Sequence, residues 1–309
     1  MVACAQGARG RLVTKASSGD PDWTSGTIER FAFYNEAVRK TNKIVHPPVI
    51  TGDRSEHAER ARRGPNFYGG PIMLPVSPAD LRIWLPRIFG AAESGSNPYS
   101  YGLATTLPTF ALLIDKVTKT YEFQDCYVDK AMIFGRQSGP NPGAPPNFLT
   151  LLVWIVAKGF DNGVTFPSTT LTKTAPYAPY IFEDGVLTLK SAARETKAFK
   201  LLVDNHLRPR YVNNLNPTTI CPHHRTVALQ TQHPFDDDTD DLELQDLSGA
   251  AAGTLVLTNG SNVVTFNFAQ LQAPIDIPVI PGKVEIDLTL HHVSRMLSST
   301  DEIAATIAV

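Results

Sequence analysis

The chain has 309 residues, 42% of them hydrophobic, which is enough to form the core of one large domain or two modest ones and excludes disorder of the whole chain. The net charge of −2 lacks the basic excess of proteins that hold duplex phosphates tightly. Three cysteines without a CxxC pair argue against a disulfide framework and favour assembly in a reducing compartment.

The N-terminal quarter of the chain carries weak structural signals. Residues 1–26 are small, polar and rich in Gly and Ser, which predicts an arm or loose terminus, and residues 27–34 predict a short strand. No export signal is visible at the start of this sequence. Residues 53–64 mix both charges, which predicts an exposed connector or, alternatively, a contact surface for an acidic partner. The cations of this stretch are Arg54, Arg60, Arg62 and Arg63.

The clearest helix signal lies between Ser77 and Gly90. Ser77 is a good N-cap, Pro78 suits the first helical position, and Gly90 suits the stop. Apolar residues recur every three or four positions, so one face should pack against a sheet. Pro86 should kink or shorten the last turn.

Strand signals dominate from residue 109 onward. Residues 109–117 and 121–130 are spaced as a hairpin, and the Pro/Gly-rich stretch 138–147 predicts an exposed loop. The apolar run 149–157 predicts a buried strand, because it is far shorter than the roughly 20 residues that span a bilayer. Asn259-Gly260 predicts the turn of another hairpin. The further predicted strands are 180–182, 186–189, 196–204, 225–233, 254–258, 263–268 and 283–292. The architecture predicted is mainly antiparallel β, a sandwich or incomplete barrel with one α-helix.

The candidate metal-binding residues match known metal-site patterns poorly. The run 236–241 (DDDTDD) resembles the start of a calcium loop, but Asp241 stands where glycine is needed and Leu247 where glutamate is needed. Cys221-Pro222-His223-His224 resembles half of a zinc site, but no second pair lies at a suitable distance. The histidines of His291-His292 should point to opposite faces of a strand. We therefore predict no metal and no cofactor.

Catalytic signatures are equally weak. The chain contains no GxSxG, HExxH, P-loop or GxGxxG motif, and no Ser/His/Asp set can be singled out. Carboxylate pairs such as Glu183-Asp184 are explained by their place in a turn. We predict a structural and assembly protein and not an enzyme.

Several segments taken in order resemble one known family. The stretch 69–90 (GGPIMLPVSPADLRIWLPRIFG) looks like the strand-then-helix opening of the tail tube proteins of long-tailed bacteriophages. The stretches 178–189 (APYIFEDGVLTL) and 197–205 (KAFKLLVDN) resemble the midsection of these proteins. Arg210-Tyr211, Asn216-Pro217-Thr218 and 225–229 (RTVAL) follow in the expected order, so the similarity runs from about residue 69 to 292.

The resemblance implies a virion subunit that forms six-membered rings, stacked into a tube through which the genome passes. It implies a β-sandwich domain at 69–309, with insertions at 138–147 and 236–253, preceded by an N-terminal extension at 1–68. The partners implied are copies of itself and other tail proteins such as the tape measure, terminator and baseplate. Double-stranded DNA would pass without sequence-specific binding, and assembly would take place in the bacterial cytoplasm without membrane insertion.

Two surface assignments follow as hypotheses. Glu285, Asp287 and Thr289 should face solvent or the bore, while the alternate residues Ile286, Leu288 and Leu290 fill the sandwich. The arginines of 54–63 and an acidic run should lie at subunit boundaries and set register between copies. The acidic residues are Asp236, Asp237, Asp238, Asp240 and Asp241.

Three other functions stay open at this stage. A terminator or baseplate ring shares the tube fold. An adhesion or carbohydrate-binding sandwich would use exposed tyrosines such as Tyr99 and Tyr101, and a metal-dependent hydrolase would need the aspartate run or His223 and His224 to bind metal.

Overall fold

The structure, a computed structural model, describes residues 7–17, 19–46, 58–138, 147–167, 172–173, 178–235, 251–274, 286–297 and 300–309. Strands dominate these residues, most pairings are antiparallel, and one α-helix packs among them. The mainly β, sandwich-type fold predicted from alternation is therefore confirmed.

The strands are numbered in chain order. The first half contains β1 (Arg11–Ala16), β2 (Glu29–Phe31), β3 (Asn35–Glu36), β4 (Arg39–Val45), β5 (Arg62–Pro75), β6 (Tyr99–Tyr101), β7 (Phe110–Asp115), β8 (Thr120–Arg136), β9 (Thr150–Ala157) and β10 (Gly159–Asn162). The second half contains β11 (Thr172–Lys173), β12 (Gly185–Leu189), β13 (Ala192–Arg194), β14 (Ala198–Asp204), β15 (Arg208–Arg210), β16 (Thr219–Cys221), β17 (Thr226–Pro234), β18 (Ala251–Asn259), β19 (Asn262–Gln272), β20 (Asp287–Ser294) and β21 (Ile303–Ala308). Helix α1 spans Pro78–Phe89, and short 3-10 turns span Gly7–Arg9, Ala58–Arg60 and Phe182–Asp184.

The pairings define three connected layers. Sheet I runs in the order β4-β5-β9-β8-β14-β17-β20. Sheet II runs β13-β12-β18-β19-β21-β6, and sheet III runs β11-β2-β1-β7-β8-β10. Because β8 belongs to both sheet I and sheet III, and β19 pairs with the end of β20, the three layers form one continuous structure.

The core lies between sheets I and II, with α1 inside one end of it. Leu85 and Phe89 of the helix meet Ile133 of sheet I and Phe266 of sheet II around a small apolar cavity. All four side chains are almost fully buried. One helix face therefore fills the sandwich, as the spacing of its apolar residues predicted.

The ends of α1 match the sequence prediction. The Ser77 hydroxyl accepts a hydrogen bond from the Asp80 amide at 3.2 Å, and Pro78 occupies the first turn. Gly90 has φ of 100°, which favours glycine, and its amide donates to the Pro86 carbonyl at 2.8 Å. Pro86 does not shorten the helix, because only the last turn follows it and Gly90 completes that turn.

The prediction of a loose terminus at 1–26 is wrong for its described part. Strand β1 pairs with both β2 and β7, and Leu12 and Val13 are fully buried. The indole Nε1 of Trp23 donates to the buried Glu122 carboxylate at 2.7 Å. The segment folds because a few well-spaced apolar residues and polar contacts attach it to β7 and β8, partners about a hundred residues away that no local pattern reveals.

A buried arginine also holds this segment against the helix. The Arg87 guanidinium donates to the Thr14 hydroxyl at 2.9 Å and to the Glu29 carboxylate at 2.8 Å, linking α1 to β1 and β2. It also lies 4.6 Å from the centre of the Phe110 ring. The ion pair compensates for the burial of a charge that would otherwise be costly.

Three local predictions need correction. Residues 180–182 do not form a strand, because the chain enters the 3-10 turn Phe182–Asp184 there. Strand β9 is not buried along its whole length, because Trp154 is 40% exposed on the face away from the core, although Val156 on that face is buried. The hairpin predicted at Asn259-Gly260 is present, but its two turn residues are Gly260 and Ser261, because Asn259 pairs with Asn262.

Other predictions are confirmed or lie outside the described residues. The hairpin predicted at 109–117 and 121–130 is the pair β7 and β8, and the strands predicted near 186, 198, 226, 254, 263 and 287 are all present. Residues 139–146 and 236–250 of the two predicted insertions lie outside the described residues. Strand β5 crosses residue 68, and the division into 1–68 and 69–309 stays a prediction.

Candidate functional site

A two-stranded arm extends from one end of sheet I. It consists of β4 and the first residues of β5, and every residue of β4 is exposed. Beyond Tyr68, which pairs with Ala157 of β9, the two strands lose the neighbouring strand that flanks the rest of β5. We call residues 39–45 and 62–68 the arm.

The surface of the arm is basic with an apolar end. The side chains of Ile44 and Val45 are 68% and 50% exposed. The cations on or next to the arm are Arg39, Lys40, Lys43, Arg60, Arg62 and Arg63, and Glu59 is the one acidic side chain among residues 39–46 and 58–68. Charged side chains protect such a free edge from unspecific pairing, while exposed aliphatic residues mark a contact surface.

A separate small sheet braces the base of the arm. Strands β15 and β16 pair with each other, and the loop between them reaches Asn66. The Asn66 amide donates to the Leu215 carbonyl at 2.7 Å, and the Tyr68 hydroxyl donates to the Asn216 side chain at 2.6 Å. The Tyr211 hydroxyl donates to the Asn66 carbonyl at 2.7 Å. The direction of the arm is therefore fixed by polar contacts at its base.

The face of sheet I that points away from the core carries an uncharged row. Six half-buried side chains lie in register across six neighbouring strands, one per strand. We call this row the apolar ladder, and it consists of Met73, Leu152, Met132, Leu202, Ala228 and Val293. At about 4.8 Å between strands the ladder is roughly 24 Å long.

A groove crosses the same outward face at the end of sheet I opposite the arm. It has a volume of about 570 Å³. Phe134 and Phe148 contribute aromatic surface and Arg136 and Lys200 contribute cations. Phe148, immediately before β9, is 43% exposed. The arm and the groove lie at opposite ends because β5 runs from Arg62 in the arm to Pro75, which pairs with Thr150 beside the groove.

A second cleft, of about 580 Å³, lies where sheet I meets the chain after β14. It is lined by His206, His223 and His224 together with Asp129 and Asp204. Burial raises the pKa of the Asp129 carboxyl. Among the residues that the structure describes, no group of three or more His, Cys, Asp or Glu side chains is arranged to hold a metal ion.

Of the three residues predicted to face the bore, the two that the structure describes lie on the outward face of sheet I. Asp287 and Thr289 are half-buried on the face opposite to Leu288 and Leu290, which are buried in the core. The Asp287 carboxylate accepts from Lys197 Nζ at 2.5 Å and from Gln232 Nε2 at 2.8 Å. Ile286 is only half-buried, and Glu285 lies outside the described residues.

The candidates for subunit contacts are only partly described. Arg60 ends a 3-10 turn beside the arm, and Arg62 and Arg63 begin β5. Arg54 and the run 236–241 lie outside the described residues. The structure does not bring the described arginines to any described acidic partner in the same chain, so their role between copies stays a hypothesis.

Sequence reasoning missed the arm and the groove. The segment 39–45 (RKTNKIV) has no alternation of apolar and polar residues, so no strand was predicted there. Its density of cations together with three β-branched residues, Thr41, Ile44 and Val45, was the available signal. The groove joins residues more than sixty positions apart, and no local pattern predicts it.

Comparison with known proteins identifies the family. A family model described as "Phage tail tube protein" matches residues 7–291, nearly the whole chain. No match was found among curated proteins. Within the described residues, no helix is long and apolar enough to cross a membrane. The family is one of structural components of the phage virion, which assemble with copies of themselves and with other tail proteins. The chain belongs to the family of phage tail tube proteins.

Proposed function

We propose that this subunit forms hexameric rings that stack into the tail tube and let the genome pass into the host. The observation that carries the proposal is the arm. A ribbon exposed on both faces with two bare aliphatic side chains gains little stability within one chain, whereas it gains buried area when a second copy covers it. Head-to-tail contacts between unlike surfaces generate rings and open tubes.

The outward face of sheet I fits the wall of a conduit for DNA. Its central ladder is uncharged, so it offers no cation to the phosphates of a passing duplex. Lys130 and Lys197 on this face are paired with Asp204 at 2.8 Å and Asp287 at 2.5 Å, while Arg136 and Lys200 lie in the groove at one end of the face. We infer that this face, including Asp287 and Thr289, lines the bore, with Glu285 as a further candidate.

Charged residues would set the register between copies. The cations Arg60, Arg62 and Arg63 lie at one end of sheet I, with Arg54 close to them in sequence. The run Asp236–Asp241 follows β17, whose last residue Pro234 lies at the opposite end. We propose that stacking brings these opposite charges together across a boundary between rings. Tape measure, terminator and baseplate proteins would complete the tail, which would assemble in the host cytoplasm.

Electron microscopy of the purified protein at increasing concentration tests the proposal. We expect rings with sixfold symmetry and tubes made of stacked rings. A particle that stays monomeric at high concentration, or a tube whose inner wall is sheet II, would contradict it.

A further inference from the structure

The groove on sheet I lies open at the end of the sheet opposite the arm. Its aromatic side chains, Phe134 and Phe148, are left without a covering element among the described residues. An apolar groove of this volume is a contact site for another segment of protein. The chemistry and placement of the arm make it the best occupant.

We propose that the groove receives the end of the arm, Ile44 and Val45, from a copy in the next ring. This inference rests on the proposed function, because it needs head-to-tail stacking. Stacking with all subunits in one direction places the arm end of one copy against the groove end of the next. The exposed aliphatic side chains then meet the exposed aromatic surface, and both are removed from water.

Two glutamates lie beside the groove, whose own lining carries the cations Arg136 and Lys200. Glu183 hydrogen-bonds to Asn147, the residue before Phe148, and Glu195 lies three residues before Ala198 in the groove wall. Both glutamates are exposed and can meet Arg62 and Arg63, which pair with Val45 and Ile44 across the arm. The groove's own cations, Arg136 and Lys200, repel these arginines and so select the side of the arm that faces the glutamates.

A disulfide trap tests the contact directly. The variant carries Val45→Cys and Phe148→Cys in a background with Cys4→Ser and Cys221→Ser, and the buried Cys126 is left in place. Within one chain the two positions are separated by most of β5, roughly 40 Å at 3.3 Å per residue, while a disulfide needs Cα atoms within about 7 Å. Any bond between them therefore joins two chains.

Oxidation of assembled tubes should produce a ladder of covalent oligomers on a non-reducing gel. Mixing the two single-cysteine proteins should give dimers only. The matched control, Val45→Cys with Met296→Cys, uses another exposed apolar residue, at 57% exposure, and should give no product. Tubes without a cross-link at Val45 and Phe148 would overturn the proposal and leave the proposed function standing, whereas absence of rings and tubes would refute the proposed function.

A second variant tests the contact independently if the cysteine protein assembles poorly. Phe148→Ala should raise the concentration needed for tube formation at least tenfold. Trp154→Ala, a change of similar exposure on the same face but outside the groove, should leave it within about twofold. Equal effects would contradict the proposal, as would a large effect of Phe148→Ala without any cross-link to Val45, because another segment would then occupy the groove.

Discussion

The Trp23 side chain helps to attach the N-terminal segment through one buried hydrogen bond. Its indole Nε1 donates to Glu122, which is fully buried and also accepts from Gln124 at 2.6 Å. A buried carboxylate that loses a donor keeps its desolvation cost. We expect Trp23→Phe to lower the free energy of unfolding by about 2 kcal/mol.

Chemical denaturation of dilute protein measures this effect. Trp154→Phe makes the same chemical change on the outward face, where the side chain is 40% exposed, and should change stability by less than about 0.5 kcal/mol. If the two variants were equally stable, the hydrogen bond to Glu122 would contribute nothing measurable.

A buried histidine makes stability depend on pH. Burial, followed by the nearby His233 and His291, lowers the pKa of His292 from 6.5 to about 4. Between these values the unfolded chain binds a proton that the folded chain does not, so stability falls as pH decreases from 6.5 to 4. The full effect of this one group is about 3 kcal/mol.

Denaturation curves at pH 7, 5.5 and 4.5 test the assignment. In the His292→Gln variant the free energy of unfolding should fall less steeply between pH 6.5 and 4. Removal of the ring also lowers stability at pH 7. His291→Gln, at the neighbouring exposed position, should keep most of the dependence of the unfolding free energy on pH, because burial, the larger cause of the low pKa of His292, is unchanged. An unchanged slope in His292→Gln would assign the pH dependence to other groups.

At the scale of elements, the brace controls the arm. Asn216 accepts from Asn66 Nδ2 at 2.7 Å and from the Tyr68 hydroxyl at 2.6 Å. These contacts are partly exposed, so Asn216→Ala should cost only about 1 kcal/mol of stability. It should nevertheless free the arm to move and speed tryptic cleavage at Arg62 and Arg63 several-fold.

Limited proteolysis with identification of the first cleavage site measures arm mobility. Asn162→Ala replaces an exposed asparagine at the end of β10 and should leave the cleavage rate unchanged. Cleavage at the same rate in both variants would show that the pairing of β4 with β5 alone holds the arm.

The elements differ in how far the sequence predicts them. The signals for α1 are local, since cap, proline, apolar spacing and stop all lie between Ser77 and Gly90, and the structure matches them. Strand β1 depends on β7, about a hundred residues away, and was missed. The candidate site was predicted only through individual residues such as Asp287 and Arg62, because the groove and the ladder exist only once β8, β9 and β14 lie side by side.

At the scale of the whole molecule, the fold has two unlike ends. The basic arm extends from one end of sheet I, and the other end carries the groove with Glu183 and Glu195 beside it. Unlike ends favour stacking in one direction, since two arms brought together would repel each other. This polarity explains how identical subunits could build a tube of defined direction.

The last prediction concerns the charge of the arm. Replacing Arg60, Arg62 and Arg63 by glutamine removes three positive charges from one end of the subunit. If these charges meet acidic residues of the next ring, tube formation at low salt should weaken at least tenfold. Tube formation by the original protein should weaken as the salt concentration rises from about 0.05 M to about 0.5 M, because screening shortens the range of exposed charges. Tube formation by the variant should depend little on salt.

Light scattering during assembly over this range of salt gives the comparison. The control replaces three other exposed arginines, Arg208, Arg210 and Arg295, so the change in net charge is the same while the arm is intact. If both triple variants shifted the salt dependence equally, net charge would govern association. A shift confined to the arm variant would locate the electrostatic contact in the arm itself, because the control changes arginines near the same end of sheet I and leaves the arm intact.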